Sequence, residues 1–362
     1  LYDLIIRDAL VIDGSDTPGI RADVAISEGR IQRIGSLSDA SAREEIDAAG
    51  RVLAPGFIDV HTHDDTVVIR KPEMLPKISQ GVTTVIVGNC GISASPVSLS
   101  GNPPDPMNLL GDAAAFVYPC FTDYRTAVEN ARPAVNVADL IGHTALRSNH
   151  MDDLLRSASP EEIAAMREQL RDSLEAGALG LSTGLAYASA FSAETSEVKQ
   201  LAEELSAFGA IYTTHLRSEF EPVLEAMAEA FDIGRHARSP VIISHMKCAG
   251  AGNWGRSPQL LAALEKAAQD HPVGCDCYPY AASSSTLDLK QVTDAFRITI
   301  TWSTPHPDQG GRDLQDIAAD WGLSLLDAAR KLQPAGAVYY GMDEGDVERI
   351  MSHPLTMIGS DG

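Results

Sequence analysis

From Pro55 onward, short apolar runs of strand character alternate with longer segments whose apolar residues recur at helical spacing. That alternation restricts the fold more than any other feature, because strand–helix repeats build parallel sheets. Eight strands are expected, at 57–61, 82–88, 134–142, 178–182, 210–215, 240–245, 273–277 and 355–361. Helical periodicity marks Pro160–Ala176, Thr195–Phe208, Pro222–Ala237 and Pro258–Gln269, the first opened by Ser159 as N-cap with Pro160 at the first helical position. Eight such units predict a (β/α)8 TIM-like barrel over 55–362, with its active site at the C-terminal strand ends.

Residues 1–54 read differently. Short strands (Asp3–Arg7, Ala9–Asp13, Ala22–Ile26, Arg30–Ile34) are broken by Asp13-Gly14, Pro18-Gly19 and Glu28-Gly29, and Glu45–Ala49 with Gly50–Leu53 completes a meander. This is the N-terminal part of a small β-sandwich domain with a structural role. The stretch 288–353 is too long for one βα connection and holds helical segments such as Gly311–Trp321, so it is expected to be an insertion forming a lid. The chain opens without Met and stops at Gly362 with no helix after its last strand, so a longer parent chain is expected, with its C-terminal part missing here.

The formal charge of -22 argues against nucleic acid and anionic membrane surfaces as partners. No run approaches the roughly 18 apolar residues of a membrane span, and no signal-peptide pattern opens the chain. The five cysteines, an odd number, make no disulfide framework and point to a cytoplasmic protein. Nothing in these features sets an oligomeric state.

Chemistry gathers at the strand ends. Phe57-Ile-Asp-Val-His61-Thr-His63 carries two histidines at i, i+2, which point to the same face of a strand. Cys90 follows the second strand, His215 ends the fifth, His245 the sixth and Asp361 the eighth. One such histidine is an ordinary hydrogen-bonded residue; six N, S and O donors converging on one barrel mouth are a metal site of the kind zinc accepts. Cys275 and Cys277 flank Asp276 and read as packing residues, with a minor metal role left open by their shared face.

The motifs resemble those of the amidohydrolase superfamily and, within it, the N-acyl-D-amino-acid deacylases (D-aminoacylases). The resemblance is carried by Pro55–Asp65, Gly88-Asn-Cys-Gly-Ile-Ser93, Gly180–Gly184, Tyr212–Arg217, Ile243–Lys247, Tyr278-Pro-Tyr280, Ile300-Thr-Trp302 and Met357–Gly362, across essentially the whole chain. It implies one tightly held zinc on Cys90, His215 and His245, and a second, weaker position near His61, His63, Cys90 and Asp361. Many relatives in the superfamily carry a carboxylated lysine at the end of the fourth strand; Leu179–Gly184 has none, and Cys90 takes the bridging place. The small-molecule substrate implied is an N-acyl-D-amino acid. Tyr187, Tyr278 and Ser284 match substrate contacts of the family, whose arginine after the last strand lies beyond Gly362.

In the chemistry expected, a metal-activated water attacks the amide, and Asp361 takes the water proton and returns it to the departing nitrogen. Lys247, two residues after His245, is the first candidate for the substrate carboxylate. Lys290 and Arg297 in the insertion are candidates for an acidic side chain, and Ser303–Asp308 resembles members that prefer acidic substrates such as N-acyl-D-glutamate. The competing readings are a cyclic-amide hydrolase of hydantoinase or dihydroorotase type and a non-catalytic zinc-binding barrel.

Overall fold

Val82-Thr-Thr-Val-Ile-Val87 is β-branched throughout; Val85 and Val87 are fully buried on one face of it and Thr84 and Ile86 are partly buried on the other, as a strand covered on both faces requires. The same holds for Gly180–Gly184, every residue of which is buried. In the computed structural model, which describes residues 1–362, these belong to an all-parallel eight-stranded sheet. Its members in chain order are Phe57–Asp59, Val82–Val87, Asn136–Gly142, Gly180–Gly184, Ile211–His215, Val241–Ile243, Val273–Cys277 and Thr356–Ile358. Backbone bonds from Val60 N–H to Ile358 O (3.4 Å) and Asp361 N–H to His61 O (2.8 Å) bring the first and last strands together, so the sheet closes as a barrel.

The helices that cover the barrel follow their apolar spacing. Pro160–Glu175 buries Ile163, Met166, Leu170 and Leu174, one stripe of a 3.6-residue period, and starts with a reciprocal Ser159–Glu162 capping box. Val223–Ala237 and Ser257–Ala268 bury similar stripes into the same core. No helix is long and apolar enough to cross a membrane.

The chain divides into two compact units, Leu1–Phe57 and Ile58–Gly362. The first differs from the expected meander. Tyr2–Val11 is one continuous strand, kinked by a bulge where Asp8 takes a left-handed backbone (φ 49°), rather than two strands. Ala42–Asp47 and Val52–Leu53 then pair with it in parallel, giving the order Arg30–Gly35, Ile20–Ser27, Tyr2–Val11, Ala42–Asp47.

In the second unit the insertion has its own core. Ala335–Tyr339 is the centre of a three-stranded antiparallel sheet between Ser283–Thr286 and Ile298–Ser303, and helices Leu314–Trp321 and Leu325–Leu332 pack on it through Ile317, Ala328 and Leu332. The boundaries 288–353 expected for the insertion are displaced at both ends. The sheet begins five residues earlier, at Ser283, whereas Glu344–Met351 is a barrel helix whose Val347 and Ile350 join the main core. Segment length revealed an insertion, but only packing separates a lid helix from a barrel helix.

Candidate metal centre

The Gly88–Gly91 turn shows how backbone geometry builds the centre. Gly88 and Gly91 have φ of 76° and 75°; a Cβ on the first would strike the Leu140 carbonyl oxygen, and one on the second the Gly184 amide. Only glycine permits this close passage. It leaves Cys90 between them in a left-handed conformation (φ 54°), buried and pointing into the barrel. His245 (φ 36°) and Asp361 (φ 52°) share that uncommon backbone. Three non-glycine residues held this way in one place mark a site whose surroundings over-determine its geometry.

The six residues singled out from sequence fall into two groups sharing Cys90: His61, His63, Cys90 and Asp361, and Cys90, His215 and His245, with the donor atoms of each group within 4.8 Å of one another. Cys90 Sγ lies 3.2 Å from His61 Nε2 and 3.2 Å from His245 Nε2. Asp361 Oδ1 lies 3.4 Å from His61 Nε2 and 3.3 Å from His63 Nε2. Donors about 2.0–2.3 Å from a tetrahedral zinc stand roughly 3.3–3.8 Å apart, so these spacings lie at or within about 0.1 Å of the short end of such coordination edges.

Electrostatics agree with the donor chemistry. Burial alone would push the Cys90 thiol up, but His61 and His245 hold it well below the ordinary thiol range, toward the thiolate a metal binds. Burial likewise opposes charge on Asp361, yet His61 and His63 keep it well below the carboxylate range. His63 is raised to about 10, because its contacts with Asp361 and Cys90 outweigh its burial; a metal held by these anionic groups would take the place of that proton. By contrast, burial pushes Cys275 to about 12 and Cys277 to about 11, as expected of packing thiols, and neither belongs to a donor group.

Above the centre lies a cavity of ≈ 1010 Å³, between the barrel mouth and the insertion. His63, His215, His245 and Asp361 line it, as do Lys247, Tyr187, Tyr278 and Ser284. Tyr187 OH is 3.3 Å from His215 Nδ1. Tyr278 OH is buried without a protein partner, and Ser284 enters from the insertion strand. Lys247 differs from its expected state. It is buried, and its ammonium lies 2.6 Å from Glu219 Oε1, so it meets the cavity already paired. Glu219 Oε1 also stands 2.8 Å from His245 Nδ1, and Lys247 Nζ stands 2.8 Å from the same nitrogen, so the three groups form one compact charged cluster behind the His245 ring.

Sequence reasoning missed Glu219 and Asp276, whose carboxylate lies 3.1 Å from His61 Nδ1. Glu219 sits in a loop with no periodic signal. Asp276 did leave one, a charge alternating with two cysteines inside an otherwise buried strand. Of the two insertion cations, Lys290 lines the cavity and makes no ion pair, whereas Arg297 rests 3.7 Å over the Tyr340 ring, outside the cavity lining.

A closed parallel barrel with a mixed His/Cys/Asp centre at its C-terminal mouth defines a metal-hydrolase architecture. The chain belongs to the amidohydrolase family, whose profile matches residues 44–362. A D-aminoacylase of Alcaligenes xylosoxydans xylosoxydans is 48% identical over 361 residues, covering 100% of this chain and 74% of that one. A D-aminoacylase whose binuclear metal center shows one-metal activation and second-metal attenuation superposes with a TM-score of 0.96 at 47% identity, over 100% of this chain and 76% of that one. An N-acyl-D-glutamate deacylase from Bordetella bronchiseptica, complexed with zinc and a phosphonate mimic of the tetrahedral intermediate, gives a TM-score of 0.95 at 44% identity, again over 100% and 76%.

Proposed function

We propose that the protein is a zinc-dependent N-acyl-D-amino-acid deacylase, hydrolysing the linear amide to a carboxylate and a free D-amino acid. The observation that carries this reading is one buried cysteine shared by two donor groups beneath a large cavity, with Asp361 facing both the donors and the cavity. The kinship to D-aminoacylases, over the whole of this chain and 74% of the relative, supports the substrate class. Cys90, His215 and His245 are the set for a tightly held zinc, and His61, His63, Cys90 and Asp361 the set for a second, weaker position. Zinc at such a centre supplies Lewis acidity toward water and toward an amide carbonyl.

The chain's own groups do the rest. Asp361 takes a proton from the attacking water as its oxygen bonds to the acyl carbon, then delivers it to nitrogen as the C–N bond breaks. The cavity walls hold the acyl chain and the amino-acid part away from bulk water. Lys247 and Tyr278 meet the substrate carboxylate, with Glu219 orienting Lys247, and Tyr187 and Ser284 complete the contacts. We favour an acidic side chain such as D-glutamate, with Lys290 as its partner, because Lys290 is the insertion cation that lines the cavity unpaired. The cytoplasm is the compartment that five free thiols suit.

The test is Asp361→Asn. Loss of the proton carrier should lower kcat by at least about 100-fold while zinc on the Cys90 set is retained. Unchanged turnover would overturn the catalytic reading and favour a non-catalytic barrel.

A further inference from the structure

Asp276 lies on Val273–Cys277 and is 2% exposed, yet it has no Lys or Arg beside it. A carboxylate buried without a cation is strongly destabilising unless its hydrogen bonds are good and complete. Its partners are two. Oδ1 accepts the backbone N–H of His245 at 2.7 Å, and His61 Nδ1 stands 3.1 Å from Oδ1 and 3.2 Å from Oδ2. We propose that Asp276 is a positioning residue that sets both metal positions at once, fixing the His61 ring through Nδ1 and the His245 backbone through its N–H. The inference rests on the reading of His61, Cys90, His215 and His245 as ligands.

The two limbs act differently. An ionised carboxylate only accepts hydrogen bonds, so His61 must carry its proton on Nδ1. Its Nε2 then presents a lone pair where Cys90 Sγ and Asp361 Oδ1 stand, 3.2 and 3.4 Å away. His61 is wholly buried, so no water competes for that tautomer. At His245 the left-handed backbone (φ 36°) is unfavourable for a residue with a side chain. The short charge-assisted bond from its own N–H to Asp276 offsets that cost and keeps His245 Nε2 at 3.2 Å from Cys90 Sγ. One carboxylate thus holds a member of each donor group.

Asp276→Asn separates the limbs. Asparagine keeps the Oδ1 acceptor for the His245 N–H, which also stands 3.1 Å from His61 Nδ1, but it removes the negative charge and sets an NH2 donor at the Oδ2 position, 3.2 Å from that nitrogen, so the preference for a proton on Nδ1 is lost and the His61 proton moves to Nε2. Asp276→Ala removes both limbs. The measurements on the full-length chain are zinc binding by equilibrium dialysis with metal analysis, the thiolate-to-cobalt charge-transfer band of the Co(II) form, and ring 15N shifts of labelled histidine. D276N should keep the tight zinc and the Cys90 cobalt band, lose about 10–100-fold in affinity at the second position, and show His61 in the opposite tautomer. D276A should weaken both positions. If D276A does not fold by circular dichroism, D276N with its His61 15N shift decides alone. Wild-type zinc binding and an unchanged His61 tautomer in D276N would overturn the proposal, as would equal weakening of both positions by D276N. Cys90→Ala serves as control: if it binds zinc as wild type does, the ligand reading itself has failed, and the role of Asp276 with it.

Discussion

Replacing Lys77 with methionine should loosen the barrel where the proposed centre sits. Lys77 is 9% exposed, and its ammonium lies 2.8 Å from Asp59 Oδ2, 3.0 Å from Asp64 Oδ2 and 2.9 Å from Ser360 Oγ. Asp59 Oδ1 also accepts the Ser360 N–H at 2.8 Å, so one cation joins the first strand, its following loop and the end of the eighth. Methionine keeps most of the aliphatic volume but leaves two buried carboxylates without a countercharge, and removing one partner of a buried ion pair costs about 3–5 kcal/mol. Urea unfolding followed by circular dichroism measures that loss. Because His61 and His63 follow Asp59 and Asp361 follows Ser360, slack there misplaces the donors, and an error near 1 Å costs on the order of 100-fold in rate. Asp59→Asn in the K77M background should recover part of the stability by removing one uncompensated charge. A K77M protein within 1 kcal/mol of wild type and with unaltered kcat would refute the clasp.

Glu197 offers a pH test. It accepts from Arg147 Nη1 (2.6 Å) and His143 Nε2 (2.9 Å). Burial pushes its carboxyl up, but those two partners bring it down to about 2 from 4.5. A carboxyl depressed by folding stabilises above its unfolded value, so about 3 kcal/mol present at pH 7 should drain away as pH falls from 4.5 toward 2. Glu197→Gln should abolish that slope and, by leaving Arg147 buried without its carboxylate, destabilise by about 3–5 kcal/mol at pH 7; urea midpoints across pH check both. At the exposed Lys290, a charge pair with substrate is worth about 1 kcal/mol. Lys290→Met should therefore cut the kcat/KM preference for N-acetyl-D-glutamate over N-acetyl-D-leucine about fivefold, and an unchanged ratio would remove Lys290 from side-chain selection.

The barrel and its donors were legible because local pattern reports both. β-branched runs such as Val82–Val87 and stripes such as Ile163, Met166 and Leu170 encode their own burial, and each candidate donor sits at or within four residues past the end of a strand. What acts across the fold was not legible. Asp276 and His61 are 215 residues apart, and no spacing rule joins them. Lys247 read as a free cation because its partner Glu219 lies in a loop on another strand's end. The helix Glu344–Met351 has the amphipathic pattern of either a lid or a barrel wall, and only its packing on the main core decides. In the first unit, strand composition identified a sheet, but the parallel return of Ala42–Asp47 depends on connection geometry that local residues do not encode.

The central claim is best tested by initial hydrolysis rates of paired N-acetyl-D- and N-acetyl-L-amino acids, with glutamate, aspartate, methionine and leucine side chains, using full-length protein supplied with zinc. Strong D-selectivity that disappears on chelation and returns with zinc is the predicted result. Turnover of neither enantiomer by zinc-loaded protein, or zinc-dependent opening of hydantoin or dihydroorotate in their place, would contradict the deacylase account.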